Sequence, residues 1–119
     1  MALLSDNRPM GLEIAFRSKE LRSTCESPAR AKREFGDRAA AALRRHLADL
    51  EAAETVAEVV EMGLEIENCD QEVGLIRFHL SEGQHLYCEV NHHQVPINGE
   101  AVDWARVTRL KVIHIGGGL

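Results

Sequence analysis

The sequence predicts an α+β fold: an N-terminal strand, two or three helices, and then an antiparallel-dominated β-meander. Three observations predict it. Ala39, Ala40, Leu43, Leu47 and Leu50 recur at i, i+3, i+4 spacing, the apolar stripe of a helix. Beyond Gly63 the period falls to two, the mark of strands with one buried face. Between two such runs lies Ser81-Glu82-Gly83, with glycine where a hairpin loop needs a left-handed residue.

Element by element, residues 1–10 have no periodicity and read as a flexible extension ahead of a single domain spanning 11–115. Gly11 to Phe16 alternates, with Leu12, Ile14 and Phe16 on one face, and predicts a strand. Ser18 is a helix N-cap, with Glu20 in the first turn where the dipole favours negative charge. Ser27-Pro28 repeats the start signal, and Gly36-Asp37 interrupts the run before the long helix. Thr55 caps a last short helix carrying Val56, Val59 and Val60, stopped by Gly63.

Leu64 to Glu67 alternates as a short strand, and 73–80 and 85–90 form the hairpin. A three-residue loop pairs Leu80 with Gln84 and sets the register by counting. His79 then faces His85, Arg77 faces Tyr87 and Phe78 faces Leu86. Ile76, Phe78, Leu80, Leu86, Cys88 and Val90 fall on the face that packs on the helices; Arg77, His79, His85 and Tyr87 fall on the other. Pro96 and Asn98-Gly99 mark a loop, Asp103 starts a helical turn around Trp104, and 107–115 is the final strand before a flexible tail, 116–119. The sheet edges leave room for pairing with a second copy, giving a homodimer, or with a partner's peptide.

The net charge is −5, which argues against a generally basic nucleic-acid binder. Its distribution is uneven. Arg17, Lys19, Arg22, Arg30, Lys32, Arg33, Arg38, Arg44 and Arg45 outweigh the acids between 17 and 45, whereas Glu51 to Glu72 holds no lysine or arginine. Such a split orients an anionic partner toward one side. No apolar run approaches a membrane span, and the start lacks the apolar core and cleavage site of a signal peptide, which predicts a cytoplasmic protein with no membrane partner. The three cysteines, Cys25, Cys69 and Cys88, lack paired metal-ligand spacing and read as reduced thiols. His92-His93 point to opposite faces if extended, so no metal site is predicted.

Three stretches carry a family resemblance. Leu12-Glu-Ile-Ala-Phe-Arg-Ser-Lys-Glu-Leu-Arg22, Ala42-Leu-Arg-Arg-His-Leu-Ala-Asp-Leu-Glu-Ala-Ala53 and Asp103-Trp-Ala-Arg-Val-Thr-Arg-Leu-Lys-Val-Ile113 resemble the opening strand and helix start, the long helix and the closing strand of HigB-like proteins of the RelE/ParE toxin superfamily. The resemblance implies a toxin neutralised by a helix-turn-helix antitoxin, cleaving messenger RNA on the ribosome without a metal or other cofactor. It differs at Gln84-His85, where relatives commonly carry an arginine after an aromatic residue, at the glycine-rich end, and in its acidic balance.

The resemblance implies that the face formed by Arg77, His79, His85 and Tyr87 supplies the base, the acid and the cation for phosphodiester transfer. Arg17, Lys19, Arg22, Arg44, Arg45, Arg109 and Lys111 are the candidate RNA contacts, with Arg109 and Lys111 alternating together on one strand face. Two other functions share the implied fold: a silent protein-binding module and a ParE-like inhibitor of DNA gyrase.

Overall fold

The computed structural model describes residues 11–70 and 73–119; the extension read at 1–10 lies outside them. The fold is α+β. Strand β1 (Glu13–Phe16) leads into helices α1 (Lys19–Glu26), α2 (Pro28–Ala52) and α3 (Val56–Glu61). Then come β2 (Glu67–Asp70), β3 (Leu75–Ser81), β4 (Gln84–Val90), a two-residue pair β5 (Ile97–Asn98) and β6 (Ala101–Val102), a 3₁₀ turn at Trp104–Arg106, and β7 (Arg109–Gly116).

The helix starts follow their caps. The side chains of Ser18, Ser27 and Thr55 accept hydrogen bonds from the backbone N–H groups of Leu21, Arg30 and Glu58, each satisfying a donor the first turn leaves without a partner. Pro28 occupies the first turn of α2, where no N–H is missed. Within α2, Gly36 has φ 90° and ψ 168°, so the run is two helical segments set at an angle across one glycine. A side chain there would be strained, because that region of backbone space is almost exclusive to glycine.

The main sheet has the order β1-β7-β4-β3-β2, with β1 parallel to β7 and the other neighbours antiparallel. A parallel partner for β1 requires a long crossover, and the three helices belong to it. Their apolar faces cover one side of the sheet. Ala39, Leu43 and Leu50 of α2, with Val56 and Val59 of α3, join Ile76, Phe78, Leu80, Leu86, Cys88, Val90, Leu110, Val112 and Ile115 in one buried core. Each large side chain fully withdrawn from water there stabilises the fold by about 1.5–3 kcal/mol. The expected order of strand, helices and antiparallel-dominated strands is observed, and the core face of the hairpin is buried throughout.

Three local expectations are corrected. The second strand begins at Glu67 rather than Leu64, because Leu64 and Ile66 pack against the core as a connecting segment without strand pairing. The final strand runs from Arg109 to Gly116 rather than over 107–115, so Gly116 belongs to the sheet and not to the tail, opposite His85. The hairpin closes with Ser81 opposite Gln84 instead of Leu80, a register shift between His79 and Ser81 absorbing the extra residue. Gly83 has φ 73°, as that turn demands. Below the shift the register is the expected one: His79 opposite His85, Phe78 opposite Leu86, Arg77 opposite Tyr87. In the Pro96 loop, β5 and β6 form a small hairpin that alternation did not signal.

Candidate functional site

The face of the sheet turned away from the core carries a row of polar residues across four strands. Glu67 of β2 stands opposite Arg77 of β3, Arg77 opposite Tyr87 of β4, and Tyr87 opposite His114 of β7. His79 and His85 form the next row, which ends at Gly116 of β7. Because β4 is the middle strand, Tyr87 is walled by neighbours on both sides and is only 3% exposed.

Contacts link the row. Arg77 Nη1 donates to the Tyr87 hydroxyl at 3.2 Å, and Arg77 Nε donates to Glu67 Oε1. The ring centroids of His79 and His85 are 5.6 Å apart in an edge-on arrangement; His85 and Tyr87 lie 6.0 Å apart, and Tyr87 and His114 5.5 Å apart. His114 Nε2 donates to the Gly117 carbonyl at 2.9 Å, which fixes the ring over the end of β7. Beside this cluster opens a groove of about 720 Å³, lined by Val60, Leu64 and Ile66 together with Arg77, His79 and His85.

His114 reaches this face through a bulge. Tyr87 pairs with His114 but Cys88 pairs with Val112, so Ile113 is an extra residue on β7. Up to that point Leu110 and Val112 face the core and Lys111 the polar side; after it the parity flips, putting His114 on the polar face and Ile115 in the core.

Two charges tune the cluster. The hydrogen bond from Arg77 holds the Glu67 carboxyl below its usual range, and the same bond, with that to Tyr87, raises Arg77 further above neutrality. His85 is pushed below its ordinary 6.5, first by burial and then by the positive charge of Arg77 and the neighbouring His79. The lowering favours the neutral ring of His85 beside the Arg77 guanidinium, a pairing of the kind found at functional sites.

From the helix side, His46 is buried at 7% exposed and its Nε2 donates to the His79 carbonyl at 2.8 Å. A carbonyl only accepts, so Nε2 carries the hydrogen, while Nδ1 is buried with no partner among the described residues. His46 thus ties α2 to the strand that presents Arg77 and His79.

The remaining candidates are dispersed. Arg109 and Lys111 share one strand face, yet each meets a carboxylate at 3.6 Å, Arg109 with Glu13 and Lys111 with Glu89. Arg17, Lys19 and Arg22 surround a separate cleft at the β1–α1 junction, where Arg22 pairs with Glu26 at 3.0 Å and lies 6.0 Å over the Phe16 ring. Arg44 lines a cleft around the bend in α2, and Arg45 is exposed on the same helix. Glu67, His46 and His114 were not singled out from sequence. His114 follows two adjacent apolar residues, Val112-Ile113, whose break in alternation is the one local signal for a bulge.

Among the described residues no group of three or more His, Cys, Asp or Glu is placed to hold a metal ion. His92 Nε2 accepts from the Thr108 N–H at 3.0 Å, which engages it in the loop before β7. No helix among the described residues is long and apolar enough to cross a membrane. Comparison with protein-family models, curated proteins and solved structures finds no match to the chain.

Proposed function

We propose that the protein is a RelE/ParE-type toxin, of the HigB-like kind, that cleaves messenger RNA on the ribosome and is held inactive by a helix-turn-helix antitoxin in the cytoplasm. The observation that carries this reading is the clustering of Arg77, His79, His85, Tyr87 and His114 on one sheet face. These are the residue types that metal-independent transesterification of RNA requires. In the proposed reaction, His85 takes the proton from a ribose 2′-hydroxyl as its oxygen bonds to the adjacent phosphorus. Arg77 neutralises the extra charge on the phosphorane, held in place by Tyr87. The bond to the 5′-oxygen breaks, and that oxygen takes its proton from His79, the exposed ring of the pair. The products are a 2′,3′-cyclic phosphate and a free 5′-hydroxyl.

A second reading is a silent binding module of the same fold. It is favoured by the ion pairs that occupy Arg77, Arg109 and Lys111 and by the net charge of −5. Induced expression in bacteria separates the two. The toxin reading predicts growth arrest with cuts inside translated transcripts, relieved by an antitoxin. Absence of arrest favours the module, and arrest with double-strand DNA breaks in place of RNA cuts would instead mark a gyrase poison.

A further inference from the structure

The Arg77 guanidinium is occupied. Glu67 stands directly opposite it on the neighbouring strand and accepts from its Nε, the edge of the guanidinium at which a second oxyanion would compete with it. Glu67 lies on β2, an edge strand with every residue exposed, so its carboxylate is free to turn to solvent without unpacking the core. The side chains of Arg77 and Glu67 are 31% and 60% exposed, and ion pairs in such settings are weak and readily exchanged. Arg77 also has a support that does not depend on Glu67, the hydroxyl of the buried Tyr87. Removing the carboxylate therefore leaves the guanidinium positioned and its charge uncompensated.

We propose that Glu67 is a resident competitor in the anion site of Arg77, so that substrate binding exchanges one oxyanion for another and Glu67 selects for ligands able to displace a carboxylate. The inference rests on reading this face as an anion-binding site. A phosphoryl group offers more acceptor oxygens than a carboxylate and suits the planar fork of arginine, so it displaces Glu67 where a weaker anion does not. Glu67 is thereby a specificity-determining residue: it costs affinity for every anion and leaves only strongly accepting ones bound at working concentration.

The test is titration of the full chain with inorganic phosphate, followed through the backbone and ring resonances of Arg77, Tyr87 and His85. Glu67→Gln keeps the size of the side chain and removes its charge, and Glu67→Ala serves as the second variant. Both are expected to bind phosphate about fivefold more tightly than the parent or better, the scale of losing one exposed ionic competitor. Adding Arg77→Ala is expected to abolish binding in either background. Unchanged or weaker binding in both Glu67 variants overturns the proposal, since it makes Glu67 a support for Arg77 rather than a competitor. So does the absence of phosphate binding at this face in all proteins. A gain in phosphate affinity without RNA cleavage would leave this inference standing while removing the nuclease reading; RNA cleavage without the gain would do the reverse.

Discussion

Arg77 and Tyr87 stand directly opposite each other on β3 and β4, and the guanidinium of one donates to the buried hydroxyl of the other at 3.2 Å. The pair joins the middle strand of the sheet to the candidate anion site. Arg77→Ala is expected to lower RNA cleavage by about 10²- to 10³-fold, the usual cost of losing a charge-stabilising donor. Tyr87→Phe keeps the guanidinium and removes only its support, so the loss is smaller and falls on the same step. Single-turnover cleavage rates of the two variants check both the order and the direction.

His85 provides a titration test. Burial, Arg77 and His79 all push it below 6.5, while Glu67 pulls it upward. Arg77→Ala should therefore raise its midpoint and Glu67→Gln should lower it, as read from the ring proton shifts against pH. The sign for stability follows. Folding favours the neutral ring, so its contribution is complete above pH 6.5 and shrinks as the pH falls below that value. If His85 is the base, cleavage likewise has an acidic limb below pH 6.5 that moves up in Arg77→Ala.

His46 is a stability test. His46→Ala removes the donor to the His79 carbonyl and part of the packing against Phe78, whose ring lies 6.2 Å away. A cost of about 1–3 kcal/mol is expected from the lost hydrogen bond, measured as a lower midpoint in urea with unchanged slope.

The glycines make a sharper contrast. Gly36→Ala places a side chain at φ 90° in open space, so only backbone strain opposes it, at about 1–3 kcal/mol. Gly11→Ala brings a Cβ within 1.6 Å of the Glu51 carbonyl oxygen, which forces β1 off the end of α2. Thermal melts should show a modest shift for the first and the larger loss for the second.

The cysteines differ in reach. Burial and the nearby Glu26 raise Cys25 to about 12, and complete burial raises Cys88 as well. Cys69 is exposed on β2. Iodoacetamide under native conditions should modify Cys69 first, with Cys25 and Cys88 reacting only on unfolding, as peptide mass mapping will report.

The hairpin face was legible in sequence for a definite physical reason. Gly83 anchors the turn, and strict alternation from Ile76 to Leu80 and from Leu86 to Val90 admits one register that buries the apolar set. His114 escaped because alternation carried on from Lys111 assigns it to the core; the bulge at Ile113 that reverses the parity is set by pairing with β4. Glu67 escaped because its place opposite Arg77 is set by the pairing of β2 with β3, which local alternation does not register. The carboxylates that occupy Arg109 and Lys111 come from β1 and β4, strands brought beside β7 only by the folded sheet order.

The most direct test of the central claim is cleavage of a defined messenger RNA on programmed ribosomes by the purified protein, with product ends identified. The expected result is cuts within the translated region leaving 2′,3′-cyclic phosphate ends, lost by about 10²- to 10⁴-fold in His85→Ala. No cleavage by the parent chain, or cleavage by His85→Ala and Arg77→Ala undiminished from that of the parent, would contradict it.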